Sequence, residues 1–133
     1  MQAANQNEAP SKTHDFCFDW IFSMDSEQKD IYDFTAKPII ESKLFLFKGV
    51  LDGFNGTVFA YGQTGSGKTF TMQGNLDDPW QQGIVPWMVW TVFEWIEQAS
   101  ESVEFTVKVS MMEIYCENLK DLLNPSKDKM IIK

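Results

Sequence analysis

The chain has 133 residues, of which 44% are hydrophobic, 14% aromatic and 23% charged. That length suits one domain, since chains near 150 residues bury roughly two-thirds of the surface their unfolded state exposes. Lys+Arg 11 against Asp+Glu 19 leaves a net charge of −8, which repels nucleic acid and anionic membranes unless basic residues cluster, and here none cluster strongly.

Residues 1–13 are polar with no apolar period and predict a disordered tail. Phe16, Phe18 and Trp20 alternate with Cys17 and Asp19, the period of a short strand. Ser26 is a candidate cap for a helix whose apolar face carries Ile31, Phe34, Pro38 and Ile39, with Pro38 expected to kink it or restart it. The face continues through Leu44, Phe47, Val50 and Leu51 until Gly53-Phe54-Asn55-Gly56 breaks it as a turn. Thr57-Val58-Phe59-Ala60-Tyr61 lacks charge and is rich in β-branched and aromatic residues, predicting a central strand buried on both faces.

A glycine-rich loop and a helix start at Lys68 follow. After a polar loop over residues 75–82 comes a second helix, with Val85, Met88 or Val89, Val92, Phe93 and Ile96 on one side and Glu94, Glu97 and Gln98 on the other. Trp80, Trp87, Trp90 and Trp95 concentrate here and read mostly as packing residues. From Val103 the period becomes two, predicting a strand with one wet face that Ile114 and Tyr115 extend. Residues 118–123 read as a short helix and Met130-Ile131-Ile132 as the start of a strand. The sum is an α/β chain with a mostly parallel core, an unpaired sheet edge and an exposed apolar face.

Gly62-Gln63-Thr64-Gly65-Ser66-Gly67-Lys68-Thr69 fits G-x-x-x-x-G-K-[ST] between the predicted strand and helix. Average composition yields the bare pattern in roughly one chain of this length in two hundred, so the flanking elements decide the reading. The glycines allow consecutive N–H groups to face one concavity, and the helix start adds its positive end, forming an anion nest for phosphate. Lys68 is a flexible point charge suited to β- and γ-phosphates, and the Thr69 hydroxyl suits one position on Mg²⁺. Hydrolysis also needs an acid near the magnesium and a group that senses the γ-phosphate. Asp19, Asp77 and Asp78 do not stand where that acid is needed and read as solvated side chains, so no catalytic residue is assigned.

All eleven cations are lysines, so this sequence supplies no arginine finger or arginine-rich kinase lid. Cys17, Cys116 and the single His14 lack the spacing of a metal site or a disulfide framework, and buried free thiols are expected. A polar opening and short apolar runs predict neither a signal peptide nor a membrane span, hence a soluble, cytosolic chain.

The run Phe59-Ala60-Tyr61-Gly62-Gln63-Thr64-Gly65-Ser66-Gly67-Lys68-Thr69-Phe70-Thr71-Met72, preceded by Gly53-Phe54-Asn55-Gly56-Thr57, closely resembles the nucleotide-binding segment of kinesin motor domains. Phe18-Asp19-Trp20-Ile21-Phe22, Gly83-Ile84-Val85-Pro86 and Val109-Ser110-Met111-Met112-Glu113-Ile114-Tyr115, leading to Asp121-Leu122-Leu123, agree in order. Conventional kinesin heavy chains look nearest. The resemblance implies a P-loop NTPase three-layer α/β sandwich, with residues 15–133 the N-terminal third to half of the motor domain and residues 1–14 a tail. It implies ATP and Mg²⁺ as cofactors, held by Gly62, Gln63, Thr64, Gly65, Ser66, Gly67, Lys68 and Thr69, with Phe70 against the adenine and Thr69 on the metal. It further implies microtubules (tubulin) as partner of the full-length motor, a cytoplasmic, cytoskeletal location, and neither nucleic acid nor membrane.

Several features depart from the family pattern. The switch I serine-arginine-serine-histidine and switch II Asp-Leu-Ala-Gly-Ser-Glu segments do not occur here, nor does the arginine-proline element that flanks the adenine. Trp20 and Trp87 stand where the family commonly has arginine, and residues 43–49 resemble an insertion. The expected function is the ATP-binding part of a microtubule-dependent motor. The alternatives are a non-catalytic kinesin fragment and a generic P-loop enzyme such as a small kinase or GTPase. Residues 1–133 alone are expected neither to turn over ATP at a motor-like rate nor to bind microtubules productively.

Overall fold

Helix α1 (Gln28–Thr35) buries one row of side chains spaced by four, and this row organises the computed structural model, which describes residues 13–41 and 49–126. Gln28 and Tyr32 lie on that row, and Ala36 and Ile40 continue it into α2 (Lys37–Ile40). Pro38 sits in the first turn of α2, where its missing N–H costs nothing. The expected break at this proline is therefore present. The start is capped differently from expectation: the cap is Glu27, not Ser26, and its amide donates to Asp30 Oδ2 at 3.1 Å.

The buried row also differs from the expected one. Phe34 is exposed and turns toward the preceding segment, where its ring lies 4.7 Å from Trp20 and meets Phe22 edge-on at 5.9 Å. Residues 13–22 form no strand, and Phe16, Phe18 and Trp20 are exposed.

The chain divides into two units, Met1–Phe93 and Glu94–Lys133. In the first, Tyr32, Ala36, Ile40 and Ile84 form the core, flanked by Ile31, Leu51, Val58, Met72, Trp87, Met88 and Val92. Ile84 opens helix α4 (Ile84–Glu97), and Pro86 falls in its first turn, where no intrahelical donor is needed. The expected helix is there, but its inner stripe is Ile84, Met88 and Val92, whereas Val85, Val89 and Phe93 face outward. Tyr32 stacks on Trp87 at 5.9 Å, and its hydroxyl is hydrogen-bonded to Thr91 Oγ1. Burial raises the Tyr32 phenol above its ordinary value, against the lowering effect of that bond. Trp87 thus packs as expected, whereas Trp80 and Trp90 are exposed.

Residues 57–61 form no strand with any of the described residues, which corrects the expected central strand. Val58 packs on the core while Phe59 and Tyr61 are 82% and 96% exposed. The physical reason is that a strand buried on both faces needs a ladder on both edges, and none of the described residues lies alongside this one. Gly53, with φ of 91°, ends the 3-10 turn Val50–Asp52, as the expected break requires.

In the second unit Trp95 meets Phe105 edge-on at 5.3 Å. Residues 103–111 are likewise exposed and form no strand, although the Met111 carbonyl accepts from the Leu122 amide at 2.8 Å, so the expected long strand shrinks to β1 (Met112–Tyr115). Residues 118–121 are not helical: β2 (Asn118–Asp121) pairs antiparallel with β1, placing Glu113 opposite Lys120 and Ile114 opposite Leu119. Cys116 and Glu117, with φ of 47° and 61°, make the two-residue turn that folds the chain back. Both cysteines are exposed, which corrects the expectation of buried thiols: Cys17 lies in the unpaired segment and Cys116 at the hairpin tip. The N-terminal tail over residues 1–12, most of the segment 43–49 and the expected strand at 130–132 fall outside the described residues.

Lys29 and Lys37 both engage the Asp33 carboxylate, Lys37 Nζ at 3.4 Å. Burial pushes the Asp33 carboxyl upward, but the Lys29 hydrogen bond and the charges of both lysines outweigh it and hold the group below its ordinary value. A depressed acid stabilises the fold fully above the unfolded value of about 3.9, and this contribution is lost as pH falls through the folded value. Asp33→Asn is therefore expected to flatten the fall in urea-unfolding stability below about pH 4, by less than about 1 kcal/mol because the pair is partly solvated. Ile40→Ala, which removes a fully buried side chain from a small core, is expected to cost about 2–4 kcal/mol, read as a lower urea midpoint by far-UV circular dichroism.

Candidate phosphate-binding site

The loop over residues 62–69 gains its shape from glycine. Gly65 and Gly67 have φ of 80° and 87°, left-handed values that L side chains rarely adopt. Gly67 is also the residue before helix α3 (Lys68–Met72). At Gly62 a side chain would collide with Ser66, its Cβ standing 2.5 Å from Oγ. The Ser66 amide closes the loop by donating to the Gln63 carbonyl at 3.2 Å.

Among the described residues, the amides of Thr64, Gly65, Gly67, Lys68 and Thr69 meet no protein acceptor. Those at the start of α3 are the donors that helix geometry leaves unpaired. Five donors without a protein acceptor on a glycine-shaped loop are the chemistry a phosphate oxygen needs, so these residues fit the phosphates of a nucleotide. Lys68 Nζ donates to the Gly62 and Gln63 carbonyls at 2.8 and 2.6 Å, which folds its ammonium back onto the loop. Thr69 is exposed beside it, and Phe70 is half-exposed.

The expected residues Gly62, Gln63, Thr64, Gly65, Ser66, Gly67, Lys68 and Thr69 therefore lie together on one loop and helix start, with Phe70 adjoining. The three acids are elsewhere. Asp78 is half-buried and caps the turn Pro79–Gln81, accepting from the Trp80 amide at 3.0 Å and Gln81 Nε2 at 2.8 Å, while Asp19 and Asp77 are exposed.

Two anchors hold α3. Gly83 is buried against it, where a Cβ would approach Met72 and Thr71 backbone atoms at 2.6 Å, and the Gly83 amide donates to the Gln73 carbonyl at 3.0 Å. The second is Gln28, absent from the sequence reading, whose Nε2 donates to the Phe70 carbonyl at 2.5 Å. Its signal was its place four residues before Tyr32, which puts it on the buried row.

The family model for the kinesin motor domain matches residues 1–133. The chain is 48% identical over 123 residues to Kinesin-related protein 3 of Dictyostelium discoideum, covering 90% of this chain and 10% of that protein. It is 50% identical over 118 residues to the kinesin heavy chain of Syncephalastrum racemosum, covering 88% and 12%. It thus spans about a tenth of the length of these curated relatives. A solved structure described as "Structure of a fast kinesin: Implications for ATPase mechanism and interactions with microtubules" matches with a TM-score of 0.75 and 46% identity, over 85% of this chain and 30% of that one. The expected fold class is therefore shown, although the parallel sheet is not formed among the described residues.

Gly67→Ala is expected to destabilise the loop and the start of α3 by about 1–2 kcal/mol, the cost of placing a side chain in the left-handed region. Faster amide exchange at Thr71, whose N–H donates to the Gly67 carbonyl at 2.9 Å, checks this.

Proposed function

Because the chain belongs to the kinesin motor domain family, we propose that it is the nucleotide-binding part of a microtubule-dependent motor that couples ATP hydrolysis to movement. The observation that carries this reading is the row of unpaired amides on the glycine-shaped loop beside Lys68. Mg-ATP, when bound, supplies the phosphoanhydride bond whose cleavage drives the cycle. This chain's residues bind and orient it. The amides of Thr64, Gly65, Gly67, Lys68 and Thr69 donate to phosphate oxygens, and Lys68 adds a full charge in a site otherwise built from dipoles. The Thr69 hydroxyl takes one position on Mg²⁺, and the Phe70 ring lies against the adenine.

Microtubules are the partner of the whole motor, which places it on the cytoskeleton in the cytoplasm. Among the described residues no helix is long and apolar enough to cross a membrane. Residues 1–133 by themselves are a binding unit without turnover. They carry no arginine, Asp78 is committed to capping a turn, and nothing on the loop activates a water. A net charge of −8 also meets the acidic microtubule surface with repulsion, since the densest lysine group, Lys127, Lys129 and Lys133, is interrupted by Asp128.

Titration with a fluorescent ATP analogue and Mg²⁺ is expected to show saturable binding that Lys68→Ala abolishes. Unchanged affinity in that variant refutes the site. Low-salt co-sedimentation paired with phosphate release is expected to show neither pelleting nor microtubule-stimulated turnover by the 133 residues.

A further inference from the structure

Helix α3 is five residues long, too short to hold itself in water and nearly all carbonyl ends. Its Phe70 carbonyl lies in the last turn, where no residue four positions on bonds it: the Gly74 amide donates instead to Thr69, at 3.3 Å. Gln28 Nε2 takes up that orphan acceptor at 2.5 Å. Gln28 is 7% exposed and stands on the same buried row as Tyr32, Ala36 and Ile40. Among the described residues no other side chain from outside the loop and α3 hydrogen-bonds to either.

We propose that Gln28 is a positioning residue for the phosphate-binding loop, setting the register of α3 so that Lys68, Thr69 and the free amides before them face one ligand. The inference rests on the proposed nucleotide-binding function, and it goes beyond it in placing part of the affinity on α1, forty-two residues before the Phe70 carbonyl. Gly83 fixes the C-terminal end of α3 against the next segment. Met72 of α3 packs on the core, and among the described residues Gln28 supplies the one side-chain hydrogen bond between α1 and α3. A side chain held so firmly by its neighbours transmits any shift of α1 to the loop.

The test uses the full 133-residue chain and two variants. Gln28→Met keeps the volume and removes the donor. Gln28→Glu presents a carboxylate that cannot donate, and regains a donor when it is protonated. In Gln28→Met, amide exchange at Thr71, Gln73 and Gly74 is expected to rise about fivefold, the effect of losing one ordinary hydrogen bond, and affinity for the fluorescent ATP analogue to fall similarly. Exchange within α4 should stay within about twofold of the parent. In Gln28→Glu the excess exchange in α3, measured against the parent at the same pH, should shrink as pH falls through the carboxyl's pKa. Unaltered α3 exchange in Gln28→Met overturns the proposal. So does equal acceleration in α1, α3 and α4, which marks a general packing role. If the parent chain binds no nucleotide, the proposed function fails. A local rise in α3 exchange then still supports the positioning role.

Discussion

The core of the first unit is the contact between the row Gln28, Tyr32, Ala36 and Ile40 and the start of α4 at Ile84. Neither α1 nor α2 is long enough to persist alone, so the row supplies what propensity cannot. Ile40, fully buried on it, contributes about 1.5–3 kcal/mol of transfer free energy. Spacing by four lets the row continue across the proline, because α2 restarts in phase after Ala36. Lys29, one position off the row, reaches over the Trp87 ring at 5.9 Å, and Asp33 draws Lys29 and Lys37 onto the outer side. The indole N–H of Trp87 is buried with no acceptor among the described residues, so this packing carries a polar cost of about 1–3 kcal/mol.

The same contact decides which face of α4 turns inward. Its sequence, IVPWMVWTVFEWIE, is apolar nearly all round, and a helix of that kind has no intrinsic inner side. Tyr32 selects one by bonding Thr91 and stacking on Trp87, which leaves Val85, Val89, Trp90 and Phe93 outward. Phe59 and Tyr61 of the same unit are exposed as well. The segments 57–61 and 103–111, which form no strand, share one cause of exposure. Backbone ladders form only where a second strand runs alongside, and the described residues place none there.

Legibility in the sequence followed the range of the physics. The loop, α3, the break at Pro38 and the extent of α4 were readable because each is set within a few residues by glycine dihedrals, proline geometry or helical period. The strands were misread because alternation in Phe16, Phe18 and Trp20 or in residues 103–111 reports a capacity to pair, and pairing depends on a distant partner. Residues 118–121 were misread for a subtler reason. Leu119, Leu122 and Leu123 carry helical spacing, but the turn at Cys116 and Glu117 places two non-glycine residues at positive φ, where no Asn-Gly signal announces a hairpin. Glutamine at 28 gave no chemical motif at all; its role follows only from the fold of α1.

This division separates two properties of the site. The shape of the loop is local, since Gly65 and Gly67 set it by their left-handed dihedrals and the first amides of α3 stay unpaired by helix geometry. Its placement is not local, because it depends on Gln28 and Gly83, which come from segments on either side in sequence. A phosphate nest tolerates a mobile surrounding so long as its dihedrals hold, whereas directing a ligand toward groups on other elements requires that the nest be fixed in space. On the proposed reading, the side chain that fixes the loop in space is Gln28 of α1. The buried helical row then bears on the placement of the loop as well as on stability.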